Sequence, residues 1–145
     1  MTETRRFVRF NSRKVPLTVD GRNASSTNPA TWATVAEARA STAGEGIGFV
    51  LGDGIGCIDL DHAIVDGAVS GWAADVLAAN PNTYVEVSRS GEGFHIFGLL
   101  PESGGRKIRD GRNIEIYSVG RYIALTGNRY GSAPATLAAL VVPAS

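Results

Sequence analysis

The sequence predicts an α+β fold with a mainly antiparallel sheet. Short segments that alternate polar and apolar residues, as half-buried strands do, recur in the middle and towards the end of the chain. Glycine-rich turns separate several of these segments, and two further segments carry helix-start signals followed by apolar residues at helical spacing. Strands therefore dominate, with two helices interspersed among them, which is the pattern of the α+β class.

The N-terminal elements follow from local patterns. Arg6–Phe10 alternates polar and apolar residues and predicts a strand. Lys14–Leu17 predicts an edge strand, because Pro16 cannot take part in a central ladder. Asn28 and Pro29 open a predicted helix that runs to about residue 40.

The remaining elements are read in the same way. Ser70 is the predicted N-cap of a helix over 71–79, and Pro81 ends that helix. The predicted strands, in chain order, lie near 47–51, 55–61, 84–88, 94–97, 114–117 and 122–125. The last two are expected to form a hairpin through Ser118–Gly120, after a basic loop at 101–112. The composition of 135–142 favours a short helix.

Composition bounds the class of protein. The chain has 145 residues, 43% hydrophobic and 19% charged, with a net charge of zero, which is typical of one globular domain. No apolar window of about 18 residues predicts a membrane span, and the polar start predicts no signal peptide. Cys57 lies within an apolar strand and is expected in the core, so we expect an intracellular protein without disulfides.

Asp59 and Asp61 are the first candidate site residues. Two positions apart on a strand, both carboxylates project from one face, while Ile58 and Leu60 point into a core. Neighbouring carboxylates repel each other unless a cation lies between them, and a divalent metal ion is the usual solution. Taken alone, the pair also fits a solvated strand end.

Glu115 is a third acid, placed in the middle of the strand at 114–117. It fits an exposed position or a cross-strand partner of an arginine. Together with Asp59 and Asp61 it would also provide oxygen ligands for two magnesium or manganese ions.

The turn at 88–93 and the basic loop are candidates for phosphate contacts. The glycines and Ser90 offer backbone N–H groups and a hydroxyl, and His95 alternates with apolar residues, so it is expected to face solvent. Arg106, Lys107 and their neighbours fit a phosphate or nucleic-acid contact as well as a solvated loop. The Walker-type phosphate-loop motif is absent from the sequence.

In this order, the motifs resemble the archaeo-eukaryotic primase superfamily, specifically the bifunctional DNA primase/polymerase domain of phage and plasmid replication proteins. Three segments carry the resemblance: Gly46–Phe49 leading into Ile58–His62, Ser90–Phe97, and Glu115–Tyr117 followed by Gly120–Gly127. Pro16 and the Pro29–Trp32 segment also fit elements of such domains.

The resemblance implies a fold and a set of site residues. The fold would be an archaeo-eukaryotic primase-like core within a single catalytic domain, 1–145. A small αβ unit, 1–45, and an RRM-like unit with a mainly antiparallel sheet, 46–130, would have the active site in the cleft between them. The implied metal ligands are Asp59, Asp61 and Glu115, which with His95 are the catalytic residues. The implied nucleotide-binding residues are Ser90, Gly91, His95, Lys107 and Arg121.

The implied activity is template-directed DNA synthesis, with two Mg²⁺ or Mn²⁺ ions and with NTP or dNTP, template and primer as partners. We further expect a cytoplasmic location in a bacterial host, no membrane contact and a helicase module C-terminal in a longer polypeptide. A nucleic-acid-binding module without catalysis would bind DNA but synthesise nothing. A metal-dependent nuclease would use the same carboxylates, with His95 activating water.

Overall fold

The computed structural model describes residues 4–144. The strands, in chain order, are β1 (Arg5–Phe10), β2 (Pro16–Leu17), β3 (Ala33–Thr34), β4 (Gly46–Val50), β5 (Ile55–Leu60), β6 (Ile64–Val65), β7 (Ala68–Val69), β8 (Val85–Val87), β9 (Phe94–Leu99), β10 (Arg106–Ile108), β11 (Ile114–Tyr117) and β12 (Tyr122–Ala124). The α-helices are α1 (Val35–Ala40) and α2 (Gly71–Ala79). All strand pairs are antiparallel, which confirms the predicted α+β class with a mainly antiparallel sheet.

The chain divides into two compact units, one holding residues up to Leu51 with Gly120–Leu125 and the other holding the remainder. This grouping differs from the division at residue 45 expected from the sequence. The difference arises because β4 pairs with β1 and β12 pairs with β4, so both strands join the N-terminal unit. In that unit the strand order is β12-β4-β1-β2, with β3 also on β1, and β2 lies at the edge as predicted.

The predicted helix over residues 28–40 is wrong in its first half. Pro29–Thr31 forms one turn of 3₁₀ helix, and Ala33–Thr34 is a strand before α1 begins at Val35. A capping box sets this start: the Thr34 hydroxyl accepts from the Glu37 N–H at 3.1 Å, and the Glu37 carboxylate accepts from the Thr34 N–H at 2.9 Å.

The second unit contains a five-stranded sheet of order β10-β11-β5-β9-β8. Alternation along the strands gives the sheet one apolar face, which packs with Ala73 and Val76 of α2. The buried residues that the sheet contributes are Ile58, Leu60, Val85, Phe94, Ile96, Ile108, Ile114 and Ile116. The helix predicted at 71–79 is confirmed, and Cys57 is buried as expected.

Two C-terminal predictions are wrong. β11 and β12 do not form a hairpin, because β11 pairs with β10 and β5 while β12 joins the other unit. The segment at 135–142 is not helical: Leu99 donates its N–H to Ala138, and Leu140 donates to Leu99, so the segment runs beside β9. Among residues 4–144 no helix is long and apolar enough to cross a membrane.

Candidate functional site

A row of polar residues crosses the five-stranded sheet on the face opposite its apolar core. Strand register pairs Lys107 with Glu115, Glu115 with Asp59, Asp59 with His95, and His95 with Glu86. Residues directly opposite each other on neighbouring strands have Cβ atoms ~5 Å apart. We call these five residues the polar row. It brings together Asp59, Glu115 and His95, which the sequence places on three different strands.

Asp59 lies on the central strand β5, and its side chain is 22% exposed. Ile58 and Leu60 on either side are fully buried in the core, as the alternation predicts. Asp61 follows the end of β5, where its N–H donates to the carbonyl of Asn113 at 3.0 Å, and it is partly exposed. This backbone bond extends the β5–β11 pairing by one residue, and the period of two predicts that the Asp61 carboxylate lies on the same face as that of Asp59.

Glu115 is engaged on both carboxylate oxygens. The Tyr117 hydroxyl donates to Oε1, and Arg109 Nη2 donates to Oε2 at 2.7 Å. Burial acts to raise the pKa of Glu115, but the bonds from Tyr117 and Arg109 outweigh it and hold the pKa below its ordinary value. Glu115 is therefore an ionised carboxylate that faces Asp59 across the strand pair and also forms an ion pair with an arginine.

His95 does not face solvent as the alternation suggested, since it is only 8% exposed. Its Nδ1 lies 3.1 Å from Glu86 Oε2, and its Nε2 lies 3.9 Å from Asp59 Oδ1. The prediction failed because β9 is not an edge strand, and residues of β8 and β5 flank the imidazole on both sides.

Glu86 is a residue that the sequence reasoning missed. It is 0% exposed, and its carboxylate accepts hydrogen bonds from His95, the Tyr84 hydroxyl and the N–H groups of Thr126 and Gly127. Burial acts to raise the pKa of Glu86, but these hydrogen bonds lower it by more than burial raises it. The pKa of Glu86 therefore lies below its ordinary value. An acid in the middle of an otherwise apolar strand, opposite His95 across a tight turn, was the available signal.

The turn between β8 and β9 is closed by its own serines. Ser88 Oγ accepts from the Gly93 N–H and Ser90 Oγ accepts from the Glu92 N–H, each at 3.1 Å. The turn was expected to offer backbone N–H groups to a phosphate, and two of these groups are thus bonded within the turn. Gly91 adopts φ = +77°, a left-handed conformation that favours glycine.

The two basic candidates lie in different units. Lys107, on β10, is exposed and lies opposite Glu115 in the polar row. Arg121 is exposed and directly precedes β12 in the N-terminal unit. The strand register therefore places Lys107 beside the carboxylates and does not include Arg121.

The acids of this face have the chemistry that hard divalent cations prefer. Asp59, Asp61 and Glu115 supply carboxylate oxygens, the ligands that Mg²⁺ and Mn²⁺ take in proteins. Within residues 4–144 no group of three or more His, Cys, Asp or Glu residues is placed ready to hold a metal ion. Glu115 is held by an ion pair with Arg109.

Comparisons with known proteins identify the family of this chain. Residues 8–141 match the Prim-Pol family, described as "Bifunctional DNA primase/polymerase, N-terminal". The chain is also 36% identical over 126 residues to a "DNA Primase-polymerase" of Nitratiruptor phage NrS-1; this match covers 79% of the chain and 17% of that relative. The chain therefore corresponds to less than a fifth of the length of that curated relative. On these grounds, this chain belongs to the Prim-Pol family, the N-terminal domain of bifunctional DNA primase/polymerases.

Proposed function

We propose that this chain is the catalytic domain of a DNA primase/polymerase, in which a 3′-hydroxyl attacks the α-phosphate of an NTP or dNTP and pyrophosphate leaves. The observation that carries the proposal is the strand register, which places Asp59 directly between Glu115 and His95. These residues carry the family resemblance, and the fold gathers them on one face of one sheet.

Each residue would have a separate task. Asp59, Asp61 and Glu115 would hold two Mg²⁺ or Mn²⁺ ions, which when bound lower the pKa of the attacking hydroxyl and stabilise charge on the phosphates. To bind a metal ion, Glu115 would have to break its ion pair with Arg109. His95, Ser90, Gly91 and Lys107 would contact the triphosphate.

We also propose the finer fold and context. The two units would correspond to the small αβ unit and the RRM-like unit of an archaeo-eukaryotic primase core. The basic residues of β1 and of the 106–112 segment would contact template and primer backbones without reading bases. Replication of a phage or plasmid, with a helicase module in the same polypeptide, would be the setting.

Primer extension on a DNA template with Mg²⁺ or Mn²⁺ tests the proposal. Metal-assisted charge stabilisation amounts to several kcal/mol, so we expect Asp59→Asn to reduce extension by about 100-fold or more. Asp75→Asn, which removes an exposed carboxylate from α2, is the matched control and should extend primers as the wild type does.

Three results would contradict the proposal. Wild-type protein that degrades the primer in a metal-dependent way would be a nuclease instead. DNA binding that weakens with salt, without any synthesis, would indicate a binding module. Equal primer extension by the wild type and Asp59→Asn would show that the polar row takes no part in the reaction. Circular dichroism of each variant verifies that it is folded.

A further inference from the structure

Glu86 is a fully buried carboxylate to which the proposed chemistry assigns no task. Its side chain is 1% exposed, at the end of the polar row furthest from Lys107. A carboxylate removed from water is costly unless hydrogen bonds compensate it. The structure therefore provides partners for Glu86, and their arrangement indicates its role.

Four donors surround this carboxylate, two on each oxygen. Oε2 accepts from His95 Nδ1 at 3.1 Å and from the Thr126 N–H at 2.9 Å. Oε1 accepts from the Tyr84 hydroxyl at 2.9 Å and from the Gly127 N–H at 3.2 Å. An ionised carboxylate offers about four acceptor positions, so this shell matches its full capacity.

The shell fixes which ring nitrogen of His95 carries a proton. An ionised carboxylate only accepts hydrogen bonds, so the 3.1 Å contact requires a hydrogen on Nδ1. The opposite nitrogen, Nε2, is thereby the one turned towards Asp59, at 3.9 Å from Oδ1. A hydrogen bond at one ring nitrogen sets the tautomer and orientation of the whole imidazole.

We propose that Glu86 is a positioning residue that fixes the orientation and the tautomer of His95, so that Nε2 faces Asp59 and the bound nucleotide. The Thr126–Gly127 segment takes part by orienting Glu86 through two backbone N–H groups. The catalytic meaning of this arrangement rests on the proposed function above. The orientation of the imidazole itself does not.

Anchoring of the Thr126–Gly127 segment does not by itself account for Glu86, because other hydrogen bonds already hold this segment. The Thr126 hydroxyl donates to the Val87 carbonyl at 2.6 Å, and the Val87 N–H donates to the Asn128 carbonyl at 2.8 Å. The Tyr130 N–H also donates to the Val85 carbonyl at 2.9 Å. These contacts hold the segment against β8 without the Glu86 carboxylate.

Long-range ¹H–¹⁵N correlation spectra of the imidazoles provide a test that needs no activity. The chain has two histidines, and the exposed His62 is an internal reference. We expect His95 to be protonated on Nδ1 in the wild type, and Glu86→Gln to raise the population protonated on Nε2 alone. Tyr84→Phe removes one donor from Oε1 and leaves the Oε2 contact, so it should not change the tautomer of His95.

Kinetics then connects the orientation of His95 to catalysis. Loss of a partner that orients a site residue typically costs about 10- to 100-fold, so Glu86→Gln should reduce kcat for primer extension by that factor. In a His95→Gln background the same change should have little further effect, because both substitutions then act through one imidazole.

The outcomes separate this inference from the proposed function. A wild-type His95 that is neutral and protonated on Nε2 overturns the inference, whether or not the protein extends primers. Equal losses from Glu86→Gln with and without His95 would also overturn it, because Glu86 would then act independently of the imidazole. If His95 carries its proton on Nδ1 but the protein synthesises no DNA, the inference about the orientation of His95 stands and the proposed function is wrong. If Glu86→Gln fails to fold, the wild-type spectrum alone decides.

Discussion

Replacing Arg109 with methionine should make the carboxylate face bind divalent cations more readily. Arg109 Nη2 lies 2.7 Å from Glu115 Oε2, so a cation that takes this carboxylate must first displace the guanidinium. The Arg109 side chain is 45% exposed and that of Glu115 is 19% exposed. An ion pair that is open to water to this extent contributes about 0.5–1 kcal/mol. Its removal should therefore lower the half-saturating Mn²⁺ concentration by about 2- to 5-fold.

Calorimetric titration with Mn²⁺, without DNA or nucleotide, measures this change directly. Arg112→Met is the matched control, since Arg112 lies in the same segment but pairs with Asp110 at 2.6 Å. It removes the same charge without freeing Glu115, so its titration should match that of the wild type. Unchanged or weaker Mn²⁺ binding by Arg109→Met would refute the reasoning. An equal gain in Mn²⁺ affinity in both variants would show that the effect comes from the loss of one positive charge and not from the release of Glu115.

Two further predictions concern stability. A Cβ on Gly93 would lie 2.2 Å from the Leu60 carbonyl oxygen, so Gly93→Ala should lower the free energy of unfolding by about 1–3 kcal/mol in urea titrations. Gly104→Ala, which meets open space, should leave it almost unchanged. Burial and a hydrogen bond to Glu86 raise the pKa of Tyr84 from 10 to about 12, so folding holds this proton more tightly and the resulting stability is lost as pH rises through that range. Between about pH 9 and pH 11, wild type should lose more free energy of unfolding than Tyr84→Phe, and equal losses would contradict the assignment.

The sequence predicted most of what depends on local pattern. Period-two alternation assigned Asp59 to one face of β5 and its apolar neighbours to the other, and cap and proline signals located α2. The starting point of α1 was also present in the sequence, since Thr34 and Glu37 have the spacing of a capping box. The Asn28–Pro29 pattern instead predicted an earlier start, where the structure has a single 3₁₀ turn.

Long-range pairing could not be derived in the same way. Nothing local to Tyr122–Ala124 reveals that this strand pairs with β4 rather than with β11, which precedes it in the chain. The burial of His95 likewise depends on its neighbours across the sheet, because alternation assigns a face but not what covers it. For Glu115 the sequence predicted an exposed position, a cross-strand arginine partner or a metal site. The structure shows an ion pair with Arg109, which follows β10, while the residues directly opposite Glu115 are Lys107 and Asp59.

The register of the five-stranded sheet has a consequence for folding as well as for chemistry. Side chains alternate strictly along a strand, so a slip of one residue in β5 would turn Asp59 inwards and expose Ile58 and Leu60 to water. The register that buries Ile58 and Leu60 is the same register that places Asp59 beside His95. A chain with a shifted register would lose its core and would therefore be unstable. Selection for a stable core and selection for a functional site therefore act on the same strand alignment in this domain.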